Sequence, residues 1–201
     1  MNPYFKTPPV VKNLIIANCI IFLALMLLPR FGYVAEEYGV LYWFGSEMFH
    51  SWQYITYMFL HASTSHLFFN MFALWMFGRT LEYELGSRRF LTYYIVCGVG
   101  AALVQMGVVC LTHEYNIQLL GASGAVMGLL LAFGVMHPND IIMLLIPPIP
   151  LKAKYFVIGY AVIELFLGWR GYQSGVAHFA HVGGMLWGWL LLRYWRRKGM
   201  L

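Results

Sequence analysis

Ser123 lies in the run Gly121-Ala122-Ser123-Gly124-Ala125, at the start of an apolar stretch. His181 lies in a second such stretch, in Ala180-His181-Val182-Gly183-Gly184, and His66 and Asn70 lie four residues apart in a third. Reactive polar side chains are expensive inside hydrocarbon, so their presence there points to function. A hydroxyl, an imidazole able to take its proton, and N–H donors able to hold an oxyanion are the parts of a serine hydrolase. The soluble hydrolase elbow Gly-x-Ser-x-Gly is not met, because position 125 is Ala. A Gly-Ala-Ser-Gly run alone reads as a helix-packing face. Only the company of His181, His66 and Asn70 makes Ser123 a candidate nucleophile.

The elements that would carry these residues are membrane helices. Of the 201 residues, 61% are hydrophobic and only 10% charged, with mean hydropathy +0.66; soluble domains carry roughly 25% charged residues. Six spans are expected, near Asn13–Leu28, Ser65–Leu81, Phe90–Leu111, Ala122–Met136, Tyr155–Gly168 and Ala177–Tyr194. The expected fold is an all-α, six-transmembrane-helix bundle forming one domain over 1–201. It has a short cytoplasmic N-terminus (1–12), a basic cytoplasmic tail (195–201) and a long interfacial loop between the first two spans. With the N-terminus inside, Lys6, Lys12, Arg79, Arg88, Arg89, Lys152, Lys154, Arg193, Arg196, Arg197 and Lys198 are cytoplasmic, and only Arg30 and Arg170 are outside. The net charge of +5 thus follows a positive-inside pattern, and no nucleic-acid partner is expected. The apolar run after Lys12 lacks an evident small-residue cleavage site, so it reads as a retained span.

Topology brings the reactive residues to one depth. The second, fourth and sixth spans all run from outside to inside, and His66, Ser123 and His181 each sit near a span's start. The fourth span is short, about 22 Å at 1.5 Å per residue, which sinks Ser123 below the outer surface. The stretch Ile141–Ile149 is an alternative extension of that span, opposed by Pro138 and Pro147-Pro148. The loop from Arg30 to Thr64 is rich in Tyr, Trp and Phe, which fits either an interfacial structure or an ordinary outer loop.

Gly124 and Gly128 form one small-xxx-small face, and Gly184 and Gly188 another. Such faces allow two helix backbones to approach closely, which would bring Ser123 Oγ within reach of His181. Gly121 and Gly124 leave open backbone around the serine. The N–H groups at the start of the fourth span, Ser123 included, and the side chains of His66 and Asn70 are candidate oxyanion donors. His178 competes with His181 as base, but the glycines at +3 and +7 follow His181; His178 then reads as a residue that supports the base or packs near it. His61 reads as a hydrogen-bonding residue of the loop, and His50, His113 and His137 as loop residues. Glu164 is the one acid within a span. It is expected to face water or pair with Arg170, with a role as third catalytic member the alternative, so a Ser–His dyad is favoured. The histidines lack the His-Glu-x-x-His ligand set of a zinc protease, so no metal is expected. Cys19, Cys97 and Cys110 have no metal-ligand spacing and read as apolar fillers.

Gly121-Ala122-Ser123-Gly124, Ala180-His181 with Gly184 and Gly188, and His66 with Asn70 resemble, in order and spacing, the rhomboid intramembrane serine proteases. The resemblance implies cleavage of single-span membrane proteins in or near their membrane segments, within the lipid bilayer and without a cofactor. It also implies Ser123 as nucleophile, His181 as base, and His66 and Asn70 as oxyanion donors. Two positions depart from the family pattern. The first loop has Trp52-Gln53 where Trp-Arg is usual, so its usual stabilising contacts do not carry over. Met127 stands where an aromatic often packs on the catalytic histidine; a thioether can fill that space but orients the ring less firmly. Two other classes are compatible with the composition: a catalytically silent relative that binds membrane helices, opposed by the retained Ser123 and His181, and a proton-coupled transporter, for which no internal repeat is seen. The compact six-span form suggests a bacterial inner membrane.

Overall fold

The computed structural model describes residues 6–143, 148–170 and 177–201. The helices are α1 (Pro9–Leu27), α2 (Pro29–Gly39), α3 (Gln53–Thr56), α4 (Thr64–Leu85), α5 (Ser87–Thr112), α6 (Ser123–Met136), α7 (Ala153–Trp169) and α8 (His178–Arg197). Two short antiparallel pairs join β1 (Leu41–Tyr42) to β2 (Gln118–Leu119), and β3 (Ile141–Met143) to β4 (Pro150–Lys152). The six apolar stretches read from the sequence correspond to α1, α4, α5, α6, α7 and α8. By length and composition alone, α1 and α5 suffice to cross a bilayer.

The ends of these helices differ from expectation in two places. Residues 9–12 belong to α1 rather than to a tail, because Pro8-Pro9 preset its first turn. Residues 195–197 continue α8, held by Trp195, which is buried against Tyr93 with ring centroids 6.2 Å apart. Arg196 and Arg197 in that last turn also suit the negative end of the helix dipole. The extension of α6 does not occur. Met136 ends the helix, and Ile141–Met143 turns back as a strand onto Pro150–Lys152; Leu144 to Pro147 lie outside the described residues.

Helices α5, α6 and α8 pack most closely and hold the centre of the core, with Phe90, Tyr93, Tyr94, Cys97, Ala101, Ala125, Leu129 and Leu192 all buried. Glycine makes this packing possible. A Cβ on Gly184 of α8 would run into the carbonyl oxygen of Gly124 on α6, and one on Gly128 would meet Cys97 of α5. Tyr93 adds a cross-helix tie, its hydroxyl donating to the Gly128 carbonyl at 2.9 Å.

One end of the bundle brings together the start of α1, the turn between α4 and α5, and the residues that follow α8. There Glu82, at the close of α4, accepts from Val10 N at 2.9 Å, from Val11 N at 2.7 Å and from Ser87 Oγ at 2.6 Å. A carboxylate that is itself 2% exposed thus caps, from another helix, N–H groups of the first turn of α1 that have no acceptor within that helix. Removing it strands two backbone donors, so Glu82→Ala is expected to lower stability by about 2 kcal/mol. The check is the thermal midpoint in detergent, where a midpoint equal to the parent's would dismiss the cap.

The segment before α4 is folded, not a loose loop. Gln53, 0% exposed, accepts from His50 N at 3.1 Å and Tyr42 N at 3.4 Å, and donates to Met48 O at 2.8 Å. Trp52 Nε1 donates to Tyr38 O at 2.9 Å. The Trp52-Gln53 departure therefore supplies its own ties, by an amide that both donates and accepts. Pairing of β1 with β2 fastens this segment to the loop ahead of α6.

Candidate active site

Ser63 caps α4, its Oγ accepting from His66 N at 3.1 Å, which fixes His66 in the first helical turn. Gly121 precedes α6 with φ +118, a conformation that side chains rarely adopt, and its N–H donates to Tyr57 O at 2.9 Å. A Cβ there would lie 2.7 Å from the His66 ring and 3.8 Å from Ser123 Oγ, so glycine lets the imidazole sit beside the serine. Ser123 is the first residue of α6. The first intrahelical bond of this turn runs from Val126 N to Ala122 O, so the N–H groups of Ser123, Gly124 and Ala125 have no acceptor within the helix. These N–H groups and the helix dipole make a ready anion site beside the hydroxyl.

His181, in the first turn of α8, points its Nε2 at Ser123 Oγ, 2.9 Å away. Both residues are partly accessible. The glycine contact between α6 and α8 thus sets the Ser123 hydroxyl against the imidazole. His178, the competing base, is 5% exposed and turns elsewhere: its Nδ1 lies 2.7 Å from Glu164 Oε2. Asn70 is buried, with Nδ2 donating to the His66 carbonyl at 2.9 Å, which occupies one of its two amide hydrogens. Met127 is partly buried and packs on the hydrophobic core.

Glu164 departs from expectation. It is neither water-facing nor joined to Arg170, whose guanidinium lies over the Phe166 ring at 5.7 Å. It is 5% exposed, on the face of α7 turned toward α8, and its Oε2 is 3.0 Å from His181 Nδ1 as well as bound to His178. The 3.0 Å separation suits an ion pair, but the His181 N–H points off the line of a hydrogen bond. Ser123, His181 and Glu164 therefore stand in a row where the sequence favoured two members. No spacing rule links residue 164 to residue 181; only the packing of α7 on α8 does. The Glu164, His178 and His181 ligand atoms lie within 4.8 Å of one another, which is geometry a metal ion would accept.

His61 also differs. Both ring nitrogens are buried without a hydrogen bond, and the ring stands edge-on to His66 at 5.0 Å. Burial, and then the nearby His66, push its pKa from 6.5 down to about 4. The unfolded chain then binds the extra proton first. The stability from burying this neutral ring is present above pH 6.5 and lost as pH falls toward 4. The thermal midpoint should drop across that window, and His61→Gln should flatten the drop; identical profiles would discard the assignment.

A serine facing an imidazole that a carboxylate backs, beside helix N–H groups with no acceptor within α6 and inside an apolar helical bundle, is an arrangement that suits hydrolase chemistry in a membrane-protein scaffold. The chain belongs to the rhomboid family: the family model described as Rhomboid domain matches residues 48–198. Members of this family are integral membrane proteins and include named proteases. The chain is 31% identical over 157 residues to "Rhomboid protease AarA" of Providencia stuartii, covering 70% of this chain and 54% of that protein. It is 30% identical over 202 residues to "Rhomboid protein 1, mitochondrial" of Saccharomyces cerevisiae, covering 94% and 55%. It is 31% identical over 137 residues to "Presenilin-associated rhomboid-like protein, mitochondrial" of Homo sapiens, covering 65% and 34%. The chain thus spans between a third and somewhat over half of these relatives' lengths.

Proposed function

We propose that this chain is an intramembrane serine endopeptidase that cuts single-span membrane proteins in or near their membrane segments. The observation that carries the reading is the 2.9 Å approach of His181 Nε2 to Ser123 Oγ, made across two packed glycine faces. Six helices, α1 and α4 to α8, cross the bilayer. The basic ends lie in the cytoplasm with both termini, and the site lies near the outer face. The compartment that goes with this reading is a bacterial inner membrane.

The substrate helix enters laterally beside α7, whose Ile158, Val162, Ile163 and Phe166 face outward. It must unwind, because a helix hides its carbonyls in internal hydrogen bonds. Ser123 Oγ then bonds to the scissile carbonyl carbon while His181 Nε2 takes its proton. The carbonyl oxygen gathers the negative charge beside the free N–H groups of α6, with His66 and Asn70 as further donors. His181 returns the proton to the leaving nitrogen as the C–N bond breaks. Water repeats the sequence to release the acyl group.

Labelling with a serine-directed fluorophosphonate tests the reading, together with incubation against a panel of single-span proteins and mass mapping of the cut. Label on Ser123 with a cut inside or beside a membrane segment is the expected pair of results. A chain that binds such proteins without labelling or cutting would be a silent binder of membrane helices.

A further inference from the structure

We propose that Glu164 is a positioning residue that holds His181 in the tautomer able to accept the Ser123 proton. The inference rests on the proteolytic reading above and deepens it from a dyad to a triad. Among the described residues of α7, only Ala153, Val157 and Glu164 are buried. A carboxylate on the inner face of so apolar a helix is costly to keep unless it is paired. Here the pairing is specific, since one oxygen, Oε2, receives Nδ1 of His178 at 2.7 Å and Nδ1 of His181 at 3.0 Å.

The chemistry follows from what each atom can do. An ionised carboxylate only accepts, so it favours a proton on each facing Nδ1. For a neutral His181 this leaves Nε2 with its lone pair, aimed at Ser123 Oγ. The opposite tautomer would present an N–H to the hydroxyl and could not take its proton. When the proton passes from Oγ to Nε2, the imidazolium forms next to a fixed negative charge in a place with little water. Glu164 gains no proton at any step. His178 holds that same oxygen, Oε2, in place beside His181.

The test measures kcat and KM of the full chain on a single-span substrate for E164Q, E164A and E164D, with S123A alongside. E164Q and E164A should lose roughly 10- to 100-fold in kcat, with KM nearly unchanged. E164D should recover part of the loss. E164Q should be no better than E164A, because its amide nitrogen can donate to Nδ1 and favour the wrong tautomer. A purely structural tie predicts the reverse, since Gln fills the same space and still hydrogen-bonds. Histidine ¹⁵N NMR of the S123A protein gives a readout free of activity: the Nδ1–H form of His181 should dominate with Glu164 and mix with the Nε2–H form in E164Q. Parental kcat in E164Q and E164A, or an unchanged tautomer, would overturn the positioning role while a dead S123A leaves the proteolytic reading standing. A cutting S123A would instead remove that reading.

Discussion

Ser123→Ala is expected to abolish the proposed cleavage of a single-span substrate while leaving the bundle folded. The reason is that, among the described residues, Ser123 Oγ is the hydroxyl placed on His181 Nε2, at 2.9 Å. The loss should be about 10⁴-fold or more in kcat, the scale seen when a nucleophile is removed from a serine hydrolase. His181→Ala should match it, and the double variant should lose little more than either single one, because the two groups act as a unit. Stability should change little, since both residues are partly accessible and neither fills the core. Initial rates with a purified substrate, read beside thermal midpoints, check both halves. Residual cutting by Ser123→Ala would assign the chemistry to another group.

The second large effect is steric. Gly184→Ala adds one methyl group, yet the methyl would meet the carbonyl oxygen of Gly124, which no rotamer change can move. Helices α6 and α8 must separate by an ångström or so. Overpacking of this kind costs typically about 1–3 kcal/mol. The activity loss should be larger in proportion, because the same contact sets Ser123 against His181; a displacement of about 1 Å can lower a rate roughly 100-fold. Gly107→Ala is the control. Its Cβ would meet nothing within 4 Å, so it should be neutral or slightly stabilising. Equal activity and melting for the two variants would show that the glycine contact does not align the site.

Much of this site could be read from residue order. Apolar length marked the helices, basic residues marked one end, and glycines at four-residue spacing flagged α6 and α8 as partners. These are local signals, set by what a helix needs in hydrocarbon and by which surfaces let backbones touch. The kinds of chemistry at hand, a hydroxyl and an imidazole at helix starts, were legible for the same reason.

What residue order left open depends on contacts between elements far apart in the chain. Glu164 looked like an acid seeking water or Arg170, and became the partner of two histidines only because α7 packs on α8. Glu82 caps a helix that begins more than seventy residues earlier. Gln53 ties its loop where the usual residue is absent. Helix periodicity and hydropathy say which face is buried, but a buried polar group takes whichever partner the fold delivers, and that choice exists only once the helices have assembled.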